Sequence, residues 1–107
     1  MKLLIIDDET DLLEMFKEMI EYYAPTVSVT TASSVEEAVL LEKDCDVILS
    51  DVHMRNAEAL EILLSQSLKP VIRMSGSIDK IAGKNLNKPF SKDELIEILS
   101  PHIDKAS

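Results

Sequence analysis

The sequence predicts an α/β fold: a parallel β-sheet with helices on both faces. Three observations predict it. Short apolar runs alternate along the chain with segments whose apolar residues recur at three- and four-residue steps. The runs KLLII (2–6) and DVILSD (46–51) are continuous rather than alternating, as strands buried on both faces require. Each ends at acidic residues, and in open α/β sheets ligands sit outside the carboxyl ends of the strands.

The elements follow in order. KLLII (2–6) is the first strand. Leu12, Leu13, Phe16, Met19, Ile20 and Tyr23 then mark an amphipathic helix, started by Thr10 or Asp11 and followed by Pro25. TVSVT (26–30) alternates and is β-branched, so it reads as a strand nearer a sheet edge. SSVEEAVLLE (33–42) is a helix with Ser33 or Ser34 ahead of Glu36 and Glu37 as a capping box. Its apolar face is Val35, Ala38, Val39 and Leu41. DVILSD (46–51) is the third strand. AEALEILLSQS (57–67) is a helix with Leu60, Leu63 and Leu64 inward. PVIRMSGS (70–77) is a strand with Pro70 first, where a missing N–H is tolerable. SKDELIEILS (91–100) is the last helix, capped by Ser91 with Glu94 three residues on, and Leu95, Ile98 and Leu99 in the core. Met15 and Met19 read as core filler, Cys45 as a small buried residue without redox work, and His53 and His102 as exposed.

The chain has 107 residues, the size of one domain, and no linker or repeat divides it. The expectation is a single domain over 1–107 with no output domain. Its 20 acidic and 11 basic residues give a formal net charge of −9, which repels nucleic acid and anionic membrane. One cysteine excludes an internal disulfide and fits a reducing, cytoplasmic setting. No signal-peptide pattern opens the chain, and no apolar stretch approaches a bilayer span.

If the strands run parallel, Asp7 and Asp8 after the first, Asp51 after the third and Ser75 after the fourth meet at one rim. Alone, Asp7, Asp8 and Glu9 read as a helix N-terminus and Asp51 as a cap. Together they are a carboxylate cluster that repels itself unless a cation joins it. Hard oxygen ligands without a nearby His or Cys side chain favour Mg²⁺, which also coordinates phosphate oxygens. Lys88, ahead of Pro89 and Phe90, can bring an ammonium to a phosphoryl oxygen at the same rim. Ser75 and Gly76 offer a hydroxyl and an open backbone N–H.

With LLIIDDE (3–9), DVILSDVHM (46–54), PVIRMSG (70–76) and NKPF (87–90) in this order, the chain resembles the receiver domain of bacterial two-component response regulators. The resemblance covers nearly the whole chain. It implies a flavodoxin-like, doubly wound, five-stranded sheet of order 2-1-3-4-5. It also implies roles. Asp51 accepts a phosphoryl group from a histidine kinase or phosphotransfer protein. Asp7 and Asp8 hold Mg²⁺, with Asp8 favoured as the direct ligand. Asp51 and the backbone carbonyl of His53 complete the metal's protein ligands. Ser75 is the switch hydroxyl, and Lys88 pairs with the phosphoryl oxygens. A downstream protein target reads the change, and the chain is a monomer or weak dimer.

The sequence departs from that family in three places. Ser75 and Lys88 are 13 positions apart, too few for a full helix, two connections and a strand. The helix between the fourth and fifth strands is therefore expected to be shortened or missing. Asn85 stands where receivers carry a switch aromatic. Arg55 and Ala59 stand where they often have proline and glycine.

The function expected is a stand-alone phosphoacceptor that signals by protein contact. At most it catalyses its own phosphorylation and dephosphorylation. The alternative is a degenerate receiver that binds its partner regardless of phosphorylation. A magnesium-dependent phosphatase needs a second acid two positions after the nucleophile, where His53 stands. A flavin or nucleotide module needs a glycine-rich loop after the first strand, which is absent.

Overall fold

A computed structural model describes residues 1–51, 56–75, 85–87 and 92–106; for residues 75, 85–87, 92 and 103–106 it describes the backbone alone. The strands are β1 (Lys2–Ile6), β2 (Ser28–Ala32), β3 (Val47–Asp51), β4 (Val71–Ser75) and β5 (Asn85–Asn87). The helices are α1 (Thr10–Tyr23), α2 (Val35–Leu41), α3 (Ala57–Gln66) and α4 (Lys92–Ala106), with a 3₁₀ turn at Glu42–Asp44. The sheet is wholly parallel and its order is β2-β1-β3-β4-β5. This is the flavodoxin-like order. The fifth strand has three residues, and only 76–84 join it to β4. Nine positions leave no room for a helix of ordinary length with its two connections.

Alternation along β1 builds two cores. Leu3 and Ile5 face one side, with Phe16, Ile20, Leu95 and Leu99 of α1 and α4. Leu4 and Ile6 face the other, with Ala38, Leu60 and Leu64 of α2 and α3. Each fully buried Leu or Ile is worth about 1.5–3 kcal/mol in transfer free energy. Arg73 breaks the pattern. It follows Ile72 of the first core and points to the α3 side, where its guanidinium meets Glu61 at 2.6 Å with a side chain 16% exposed.

Several boundaries differ from the sequence reading. β2 runs two residues later than 26–30, because Val27 N–H turns back to Ala24 O (2.9 Å) and pairing starts at Ser28 N–H to Met1 O (2.8 Å). Neither Thr10 nor Asp11 caps α1. Glu9 takes that position without a side-chain bond, and its N–H donates to the Asp7 carboxylate at 2.9 Å. Met15 is exposed, about 100° around α1 from Phe16. Tyr23, in the last turn, is half-exposed and meets Tyr22 edge-to-face at 4.8 Å. Val39 is likewise exposed, about 100° from Ala38 on α2. The last helix does not stop at Ser100 but continues through Pro101, so His102 is half-buried in α4 rather than in an exposed tail. Pro101 has no N–H for Glu97 O, and one residue earlier the Ser100 hydroxyl donates to Ile96 O at 2.8 Å. The proposed Ser91 cap lies outside the described residues.

Ser34 is the cap of α2: its hydroxyl accepts Glu37 N–H at 3.2 Å, while Ser33 donates to the Glu37 carboxylate at 2.7 Å. Ser34→Ala is expected to cost about 1 kcal/mol, read as a lower urea midpoint with unchanged slope.

Cys45 is buried, and its S–H donates to Glu42 O at 3.0 Å. Burial first, then the Glu42 charge, push the thiol from its ordinary 9.0 up to about 11. The fold therefore favours the neutral thiol. That contribution is complete below pH 9 and is lost as pH rises toward 11. Urea midpoints of the parent and Cys45→Ala should diverge across this window, with the parent falling faster.

Candidate metal and phosphoacceptor site

Register brings the acids together. Ile6 of β1 pairs with Ser50 of β3, so residues 7 and 51 leave adjacent strands at the same edge. Asp7 N–H continues the sheet by donating to Ala32 O at 3.1 Å. Asp51 closes β3 opposite Met74, and Ser75 closes β4 opposite Asn87 of β5. The carboxyl ends of four strands thus form one rim.

Carboxylate oxygens of Asp7, Asp8 and Asp51 lie within 4.8 Å of one another. Asp7 is fully buried, Asp51 is 7% exposed and Asp8 is open to solvent. The set suits a hard dication entering from the Asp8 side. Magnesium bonds of 2.0–2.1 Å place adjacent oxygens about 2.9 Å apart and opposite ones about 4.2 Å apart. A spread of at most 4.8 Å is close to that, and the waters that magnesium keeps would bridge the remainder. Such burial of carboxylates is otherwise costly.

Of the residues read from the sequence, Asp7, Asp8 and Asp51 converge, and the backbone of Ser75 ends at the same rim. Asn85 begins β5 in register with Arg73. His53, Arg55 and Lys88 lie outside the described residues. Ala59 is an exposed residue of α3.

The sequence reading missed a neighbour of the cluster. A cleft of about 350 Å³ beside Asp8 is lined by Thr10, Ser33, Ser34, Val35, Glu36 and Asn56. Asn56 precedes α3 with φ 61° and ψ 43°, the left-handed conformation that asparagine tolerates better than most residues. An asparagine just ahead of a helical pattern was the available signal.

No protein-family model matches the sequence. Solved structures match nearly end to end. The receiver domain of the Francisella response regulator 1452 is 28% identical with a TM-score of 0.80, covering 99% of this chain and 98% of that one. A response regulator receiver domain from Clostridium thermocellum is 25% identical with a TM-score of 0.78, covering 98% and 95%. Chemotaxis response regulator CheY4 of Vibrio cholerae, 24% identical with a TM-score of 0.77 and coverage of 94% and 96%, shares the fold. Among curated proteins, the transcriptional regulatory protein CpxR of Escherichia coli is 30% identical over 108 residues, 89% of this chain and 46% of that protein. Transcription factor SKN7 of Candida albicans is 27% identical over 113 residues, 94% of this chain and 20% of that protein. The chain thus spans less than half the length of these curated relatives. With its own strand order and acidic rim, and with receiver domains matched over nearly its whole length, it belongs to the receiver domains of response regulators.

Proposed function

We propose that this receiver is a phosphoacceptor of two-component signalling, modified on Asp51 by a histidine kinase or phosphotransfer protein. The observation that carries the reading is the convergence of Asp7, Asp8 and Asp51 on one rim, two of them buried. In the transfer, a carboxylate oxygen of Asp51 attacks phosphorus, the P–N bond to the donor imidazole breaks, and the imidazole leaves with the bonding pair. A carboxylate needs no general base for this. Its difficulty is repulsion from an anionic donor. Asp7, Asp8, Asp51 and the His53 carbonyl would hold magnesium, which supplies the positive charge that offsets that repulsion. Asp8, the exposed member, orients the open side of the cluster toward an arriving donor. By resemblance, Lys88 pairs with the phosphoryl oxygens and Ser75 turns its hydroxyl toward them. Output runs through contact with a downstream protein in the cytoplasm.

One observation favours a second reading, a receiver that binds its partner regardless of phosphorylation. Asn85 replaces the family's switch aromatic, and the connection before it is short. Partner affinity unchanged by phosphodonor would select that reading. The direct test of the first is incubation with acetyl phosphate and Mg²⁺ followed by intact-mass measurement. One added phosphoryl group supports it; no adduct under conditions that label ordinary receivers rejects it.

A further inference from the structure

A sheet edge carries free N–H and C=O groups that invite another strand. β2 is such an edge. Its alternate residues turn toward β1: Ser28 N–H reaches Met1 O at 2.8 Å, and Ala32 O accepts Asp7 N–H at 3.1 Å. Val29 and Thr31 between them turn their backbone groups outward. Both groups of Val29 are taken, by side chains and not by a strand. Glu21 accepts Val29 N–H at 3.2 Å, and the Lys17 ammonium donates to Val29 O at 3.2 Å. Lys17 and Glu21 stand one turn apart on α1, so a single helix face supplies a donor and an acceptor where a neighbouring strand would. Just ahead, Val27 N–H is held by Ala24 O at 2.9 Å. Among the described residues, Thr31 is the outward residue of β2 left with groups to offer.

The strand beneath this cover has no guard of its own. SVTTA holds three β-branched residues in five, with no charge and no proline. Exposed and unpaired, a segment of that composition adds strands readily. We propose that Lys17 and Glu21 close the β2 edge against strand addition, and that the occupant they exclude is the β2 edge of a second copy of this chain. An edge is complementary to itself under a two-fold axis, because donors and acceptors alternate along it and antiparallel pairing exchanges them. The uncharged side chains of SVTTA add no repulsion at the contact. Pairing would join two five-stranded sheets into one of ten strands. The inference does not rest on the phosphoacceptor reading, since Lys17 and Glu21 lie in the body of α1, away from the acidic rim.

The test is the mass in solution of the full chain, by sedimentation equilibrium. Lys17→Ala/Glu21→Ala should have twice the mass of the parent, 11.9 kDa per chain. Adding Thr31→Pro, which deletes one of the two outward N–H groups of β2 and is tolerated at a sheet edge, should return it to the parent's mass. A folded double variant with the parent's mass overturns the proposal. So does association that survives Thr31→Pro, because it then runs through another surface. Should the double variant not fold, Glu21→Ala alone decides by hydrogen exchange. The Val29 amide should exchange about tenfold faster than in the parent. Unchanged exchange means that Glu21 does not guard the edge.

Discussion

Asp51→Asn should abolish the phosphoryl adduct completely. In the parent, acetyl phosphate with Mg²⁺ should add one phosphoryl group; in the variant, the mass should not change under the same conditions. Asparagine keeps the size and one carbonyl oxygen, and Asp51 sits in a nearly buried position at the end of β3, where an isosteric change disturbs packing least. What it removes is the nucleophilic carboxylate oxygen, for which an amide is no substitute. Retained labelling would move the acceptor elsewhere. Asp7 and Asp8, the neighbouring carboxylates, would be the first positions to map.

Magnesium should stabilise the fold, and Asp8→Ala should remove most of that effect. A ligand present at ten times its dissociation constant adds about 1.4 kcal/mol. For a chain of this size, that is a rise of about 6–11 °C in Tm. Asp8 is the exposed member of the cluster, so its truncation leaves no cavity. The variant should match or slightly exceed the parent's stability without metal, since one repelling charge is gone. Calorimetry of both proteins with and without Mg²⁺ separates the outcomes. An equal rise in both would show that Asp8 is not a ligand; no rise in the parent would remove magnesium from the proposed chemistry.

Much of this was legible in the chain itself. β1 and β3 were visible because strands buried on both faces must be apolar throughout, and the acids after them because strand ends in such a sheet face the rim. What escaped was set by contacts that no local pattern records. The start of β2 depends on a turn at Ala24–Val27 and on Met1, a residue far away in sequence. Met15 and Val39 fit a helical repeat but fall to the side of their buried stripes. Pro101 signals a helix end, yet packing of Leu95 and Leu99 against the sheet carries α4 past it. The strand order itself came from family resemblance and not from periodicity.

Arg73 has a consequence for what the β4 flank of the sheet requires as cover. A guanidinium in the fourth strand, mostly buried and tied to a solvent-facing glutamate, places an ion pair on that flank of the sheet. An ion pair there needs less apolar cover than an aliphatic side chain at the same place would.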